Sequence, residues 1–238
     1  MEKISIIIPS FNSSEVLKVN LPYLKNYCDE SPFEIEIIVV DDGSEDSEKC
    51  KQVALDNKAV FYSYPQNLGK GGAVRFGVSK ASGDLIFYTD SDIPFETDVI
   101  ERAISYLTLK EFDLVIGDRG LKESEYFSMI SNKRRLGSGF FTFLVGRFIT
   151  TGFSDTQCGF KGFRREIAID LFTKSRLNSF AFDVELIYIS LKRNYDIKKL
   201  PVKLRSQDGS SVNVFKHGIG MFLDIFKIKI NQLKGYYE

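Results

Sequence analysis

The stretch GDLIFYTDSDIPF (83–95) ends an apolar run with Asp90-Ser91-Asp92. Side chains alternate along an extended chain, so Asp90 and Asp92 point the same way. Two carboxylates held together repel one another and resist desolvation, so an ordinary core does not place them there. Hard oxygen ligands at this spacing suit Mg²⁺ or Mn²⁺, and such a cation bridging a diphosphate would offset the repulsion. A turn or helix cap is the alternative reading, because aspartate favours both.

Other residues of the same chemical kind recur at intervals. Asp41-Asp42-Gly43-Ser44 follows FEIEIIVV. It could accept a hydrogen bond from a base imide N–H or a ribose hydroxyl, or be an Asp-Gly turn. Asp41, nearest the strand, is the better ligand. QNLGKGGAVRFG (66–77) places Asn67, Gly69 and Lys70 in a glycine-rich loop. Glycines let backbone approach a ligand and Lys70 could neutralise phosphate, although the stretch lacks the GK[ST] of a P-loop. The alternative is a turn whose helix packs closely. No Ser/His/Asp triad is evident, and the single histidine, His217, reads as a surface or cap residue.

These clusters need elements to position them. ISIIIP (4–9), FEIEIIVVDDGS, VFYSYP, DLIFYTD and DLVIGDR (113–119) read as strands, with helical patterns between them. That alternation over roughly the first 120 residues predicts an α/β fold with a mainly parallel sheet covered on both faces. Ligands then bind beyond the carboxyl ends of the strands. Pro9-Ser10-Phe11-Asn12, Asp41-Asp42, Asn67–Lys70 and Asp90–Asp92 each follow a strand, so four polar clusters converge on one rim. Further on, residues 128–150 read as an aromatic-rich amphipathic helix and DTQCGFKGFRREIAIDLF as loop, strand and helix. FAFDVELIYISLKRN reads as a helix opened by acidic residues, YDIKKLPVKLRSQDGSSVN as a strand and loop, and residues 214–233 as a terminal amphipathic helix.

Composition narrows the class. The 238 residues are 43% hydrophobic and 27% charged, with 32 basic and 32 acidic side chains, so global charge gives no reason to expect a nucleic-acid partner. Cys28, Cys50 and Cys158 are scattered without a CxxC pair, which argues against a disulfide framework or zinc site and favours the cytoplasm. The opening MEKISIIIPSFN reads as a strand, not a signal peptide. The most apolar stretch, 136–153, contains Arg147 and several glycines and falls short of a membrane span.

Taken together, SIIIPSFN, IIVVDDGS, NLGKGGAV and DSD, in that order, resemble the inverting glycosyltransferases of family 2, which have the GT-A fold. NLGKGGAVRFG, DTQCGFKGFRR and FAFDVELIYIS are most similar to the dolichyl-phosphate β-glucosyltransferase subgroup. The resemblance covers nearly the whole chain. It implies one GT-A domain over 1–238, with a nucleotide-sugar half (1–120) and an acceptor half (121–238). It also implies a nucleotide-diphospho-sugar donor, a UDP-sugar carrying glucose or a related hexose, and polyprenyl phosphate as acceptor. Pro9, Phe11, Asn12 and Asp41 would surround the nucleoside, with Asn67, Gly69, Lys70 and Ser91 nearby. Asp90 and Asp92 would hold the Mg²⁺ or Mn²⁺.

On the acceptor side, Arg119, Arg134, Arg135 and Arg205 are the candidate phosphate contacts, and Asp155 and Gln157 would line the sugar or acceptor pocket. An anionic lipid phosphate needs no strong general base. If the acceptor is instead a saccharide hydroxyl, Asp183 would be the base; Asp183 and Glu185 otherwise supply favourable first-turn charge to a helix. The chain departs from the family pattern at three places: Ser13 replaces a common Glu, Ile93-Pro94 lacks a glutamine after the DxD, and Ser211 replaces a common Lys. Phe140, Phe141, Phe143 and Leu144, with Lys133, Arg134 and Arg135, could meet the cytoplasmic face of a membrane; a core helix is the other reading.

Overall fold

The computed structural model describes residues 2–125, 150, 152–153, 155–205 and 214–238, with side chains of the last helix from Leu223 onward. The expected helix at 128–150, with Arg134, Arg135 and the Phe140–Leu144 cluster, lies almost wholly outside the described residues. So does Ser211.

The first five strands fall where the apolar runs predict: β1 (Lys3–Ser10), β2 (Glu34–Asp41), β3 (Val60–Ser63), β4 (Leu85–Thr89) and β5 (Leu114–Asp118). Between them lie α1 (Ser14–Glu30), α2 (Ser47–Asp56), α3 (Lys70–Lys80) and α4 (Asp98–Thr108). Then follow β6 (Phe160–Arg164), α5 (Arg165–Lys174), α6 (Phe182–Lys192), β7 (Ile197–Pro201) and α7 (Val214–Leu233). One seven-stranded sheet runs in the order β3-β2-β1-β4-β6-β5-β7. Neighbouring pairs are parallel except that β6 runs antiparallel to both β4 and β5.

Strand alternation sorts the core into two layers. Ile4, Ile6, Ile8, Val39 and Phe87 meet α1, α2 and α4 on one face. Ile7, Ile38, Val40, Ile86 and Tyr88 meet α3, α5, α6 and α7 on the other. Near-continuous apolar runs such as SIII and IIVV are what a sheet buried on both faces requires. In α4, Val99, Ile100, Ala103, Ile104 and Leu107 are all buried, an i, i+4 stripe that pins the helix beside β5 and β7.

The antiparallel β6 decides what the site can contain. The carboxyl ends of β1, β2, β4, β5 and β7 lie at one rim. Because β6 runs the other way, its amino end reaches that rim too, carrying residues 155–159 with it.

Candidate active site

At the end of β4 the chain folds back on itself, with the Ile93 N–H donating to the Asp90 carbonyl at 2.9 Å. Ile93 takes a φ of 41°, a conformation that costs a β-branched residue about 1–2 kcal/mol, and its side chain is buried. The turn leaves Asp92 Oδ1 buried with no hydrogen-bond partner. Burial, then the charge of Asp90, pushes the Asp92 carboxyl up to about 6. Gly159, on the lead-in to β6, makes room for Asp90: a Cβ there would lie 2.2 Å from Asp90 Oδ2.

Behind the turn, acidic and basic groups alternate. Lys70 opens α3 and its Nζ lies 2.6 Å from Asp90 Oδ1 and 3.9 Å from Asp183 Oδ2. Asp183 Oδ1 accepts from Lys161 Nζ at 2.5 Å and from the Tyr88 hydroxyl at 2.5 Å. Lys161 and Asp183 are 1% and 2% exposed, so this is a fully desolvated ion pair, further secured by the Lys161 donation to the Cys158 carbonyl at 3.0 Å. Burial works against charge on Lys70, but Asp90 and Asp183 outweigh it and hold its pKa up at about 12.

The nucleoside side is built from the ends of β1 and β2. Asp42, though adjacent to Asp41, has a different task. Its carboxylate accepts from the Tyr64 hydroxyl and from the Leu68 and Gly69 N–H groups at 2.7–2.8 Å, tying down the glycine-rich loop. Asp41 spends only Oδ2, on the Ser44 N–H at 3.3 Å, and leaves Oδ1 buried and unpartnered. Asn12 links the two loops, its N–H donating to Ser44 Oγ at 2.8 Å and its Oδ1 accepting from the Glu45 N–H at 2.9 Å. Phe11 is 48% exposed at this edge, Pro9 half-buried behind it, and Asn67 exposed on the loop opposite. Gly69 has a φ of 89°, and a Cβ there would lie 2.6 Å from the Asn178 carbonyl oxygen, so only glycine permits this approach.

Across the rim, Arg119 grips Asp155 with two parallel donations, Nε to Oδ2 at 2.8 Å and Nη2 to Oδ1 at 2.7 Å, and adds its backbone N–H at 2.8 Å. Gln157 Nε2 reaches the Phe180 carbonyl at 3.4 Å. Arg205, expected among the acceptor contacts, instead contacts the DSD turn: Nε donates to the Ile93 carbonyl at 3.1 Å and Nη2 to the Asp92 carbonyl at 3.2 Å. Sequence reasoning missed Tyr88, Gly159 and Lys161. The one available signal was a lysine between two phenylalanines in FKGF, a charge placed inside a buried strand.

The donor set suits a divalent cation. Mg²⁺ and Mn²⁺ commonly take one or two carboxylates and complete their shell with substrate phosphate and water. Asp90 and the unpartnered Oδ1 of Asp92 offer the carboxylates, and among the described residues no group of three or more His, Cys, Asp or Glu forms a complete protein cage.

A profile for glycosyl transferase family 2 matches residues 5–172. The chain belongs to that family. This family 2 glycosyltransferase is 32% identical to the mouse and human proteins named dolichyl-phosphate beta-glucosyltransferase over 254 aligned residues, covering 100% of this chain and 78% of each relative. It is 28% identical to the Saccharomyces cerevisiae protein of that name, covering 99% and 76% respectively. Among solved structures, mannosyl-3-phosphoglycerate synthase from Rubrobacter xylanophilus superposes with a TM-score of 0.74 at 18% identity, covering 99% of this chain and 76% of the other. Glucosyl-3-phosphoglycerate synthase from Mycobacterium tuberculosis, solved with Mn²⁺, UDP and glucosyl-3-phosphoglycerate, does so at 0.62 and 19% identity, covering 94% and 79%. The fold is therefore GT-A, as the strand pattern and motif order led one to expect.

Proposed function

We propose that this glycosyltransferase moves glucose, with inversion, from UDP-glucose to a polyprenyl phosphate, using Mg²⁺ or Mn²⁺ at Asp90 and Asp92. The observation that carries the reading is the buried, unpartnered Oδ1 of Asp92 beside Asp90 at a strand end, an arrangement that is costly unless a cation meets it. When bound there, the cation would stabilise charge on the departing nucleoside diphosphate.

The chain's own residues have separate tasks in this reading. Asp41 Oδ1 accepts a nucleobase N–H, Phe11 offers its exposed ring to the base, and Pro9 and Asn12 frame that pocket. Lys70, with the backbone of Asn67, Gly69 and Ser91, meets the diphosphate. Asp183 holds Lys70 and Lys161 in register behind it. Arg119, with Asp155, Gln157, Arg134 and Arg135, forms the acceptor side.

Two features support a phosphate acceptor over a saccharide hydroxyl. The relatives at 32% identity are named for dolichyl phosphate. Asp183, the candidate base for a hydroxyl, is 2% exposed and already accepts from Tyr88 and Lys161, whereas an anionic phosphate needs no base. Among the described residues no helix is long and apolar enough to cross a membrane. Contact with a lipid surface is supported by α7: Leu223, Ile230 and Leu233 are exposed on the side opposite the buried Ile225 and Ile228.

Calorimetry tests the donor half. UDP and UDP-glucose are expected to bind in the presence of Mn²⁺, GDP and GDP-mannose weakly, and Asp92→Ala to abolish metal-dependent binding. Binding that ignores both metal and Asp92 would overturn the assignment. Transfer to a short-chain polyprenyl phosphate, but not to the corresponding polyprenol or to free saccharides, tests the acceptor half.

A further inference from the structure

We infer that Arg205 is a positioning residue for the DSD turn, fixing Asp92 from the segment that leaves β7. This rests on the assignment of Asp90 and Asp92 as metal ligands and gives that site its support.

Three successive carbonyls of the turn accept from this one residue. The side chain serves Asp92 and Ile93, and the Arg205 N–H donates to the Pro94 carbonyl at 2.9 Å. The guanidinium also donates to Asn20 Oδ1 and lies 4.5 Å over the Tyr23 ring, so both its edge and its face are engaged. The two segments are joined further by the Phe95–Leu204 bridge and by the Glu96 N–H donating to the Lys203 carbonyl at 3.0 Å. Tyr23 is itself anchored, its hydroxyl donating to Glu96 Oε2 at 2.7 Å.

A turn that holds Ile93 at positive φ persists only where its surroundings over-determine it. The geometry of Asp92 depends on that turn, and the fork of Arg205 closes it. A planar guanidinium can serve two adjacent carbonyls while stacking on a ring; an ammonium group cannot. Arg205→Lys therefore separates the two roles open to this residue. A phosphate contact tolerates lysine, because the charge remains. A backbone clamp does not.

The test measures Mn²⁺ affinity by electron paramagnetic resonance in the presence of UDP, alongside KM for donor and acceptor separately. Loss of a group that orients metal ligands costs about 10–100-fold in metal affinity. Arg205→Lys is thus expected to weaken Mn²⁺–UDP binding by at least about tenfold and raise donor KM, with acceptor KM and melting temperature little changed. Tyr23→Leu, which keeps the charge and removes the stacking surface, is expected to move the same quantities in the same direction by less. If wild type binds Mn²⁺–UDP, Asp92→Ala does not, and Arg205→Lys matches wild type, the inference fails and the metal site stands. If wild type binds no Mn²⁺ with UDP, the metal-site reading fails and takes this inference with it.

Discussion

Neighbouring aspartates in this chain differ by where their oxygens go. Asp42 is spent on three donors, the Tyr64 hydroxyl and two N–H groups of the glycine-rich loop, while Asp41 and Asp92 each keep one buried oxygen without a partner. Asp41, Lys70, Asp90 and Asp92 were legible in the sequence because each lies at the end of a strand or in the loop that leaves one, so position along the chain gives position at the rim. Gly159 and Lys161 were not, because they reach Asp90 and Asp183 only through a strand whose direction no local pattern states. Both yield predictions. Gly159→Ala puts a methyl 2.2 Å from Asp90 Oδ2, so Asp90 must turn away. A displacement of that order in a reacting constellation costs on the order of 100-fold in kcat/KM, and steady-state kinetics should show it with the circular-dichroism spectrum unchanged. Lys161→Met leaves Asp183 buried with Tyr88 and a Lys70 ammonium 3.9 Å away. Breaking a buried pair from one side costs about 3–5 kcal/mol, and urea denaturation should register it. The double variant Lys161→Met/Asp183→Asn should lose clearly less than the two single losses added, since no bare charge is then left behind.

At the scale of elements, the sequence announces strands and helices but not how they are ordered. The run FKGF satisfies a buried strand in either direction, so the insertion of β6 between β4 and β5, antiparallel to both, could not be read from it. Nor could the consequence that 155–159 joins the rim. The Arg119–Asp155 fork is what ties that lead-in to the end of β5. Burial alone would raise the Asp155 carboxyl, but the Arg119 hydrogen bonds and charge outweigh it and leave it below the usual range. The folded state therefore binds this proton less readily than the unfolded chain, whose Asp titrates near about 3.9. Asp155 thus contributes stability above that value and loses it as the pH falls through the lower folded-state value. Asp118 next to it works in the opposite sense, pushed up chiefly by burial, so the total pH profile does not isolate the effect. The comparison that does is wild type against Asp155→Asn: urea midpoints should differ at pH 7 and draw together as the pH falls below about 3.9. A difference that stays constant across that range would show the fork contributes packing and no charge.

For the whole molecule, a nucleotide sugar arrives from water whereas a polyprenyl phosphate stays in a bilayer, so the acceptor proposal requires a surface that meets lipid. The helix α7 offers one. Its inner side packs Ile225 and Ile228 into the core, and Leu223, Ile230 and Leu233 are 56%, 47% and 87% exposed on the other side. Leu223, Ile230 and Leu233 recur at i, i+7 and i+10, which a 3.6-residue turn gathers on one stripe. Lys227 and Lys234 border it on one flank and Lys229 on the other, the arrangement of a helix lying in the interface of an anionic membrane. Each leucine removed from water is worth ~1.5–3 kcal/mol and each lysine near an anionic surface ~1 kcal/mol. Leu223→Glu/Leu233→Glu is therefore expected to lower co-sedimentation with vesicles of phosphatidylcholine and phosphatidylglycerol by well over tenfold. Raising salt should weaken the wild type too, because the lysine contribution is screened. Turnover of a water-soluble, short-chain polyprenyl phosphate should stay near the wild-type rate, since the stripe touches none of the proposed site residues. If vesicle binding is instead unchanged and the substitution converts a dimer to a monomer by light scattering, the stripe is a contact between copies of this chain. Access to a membrane-bound acceptor would then have to come from another surface.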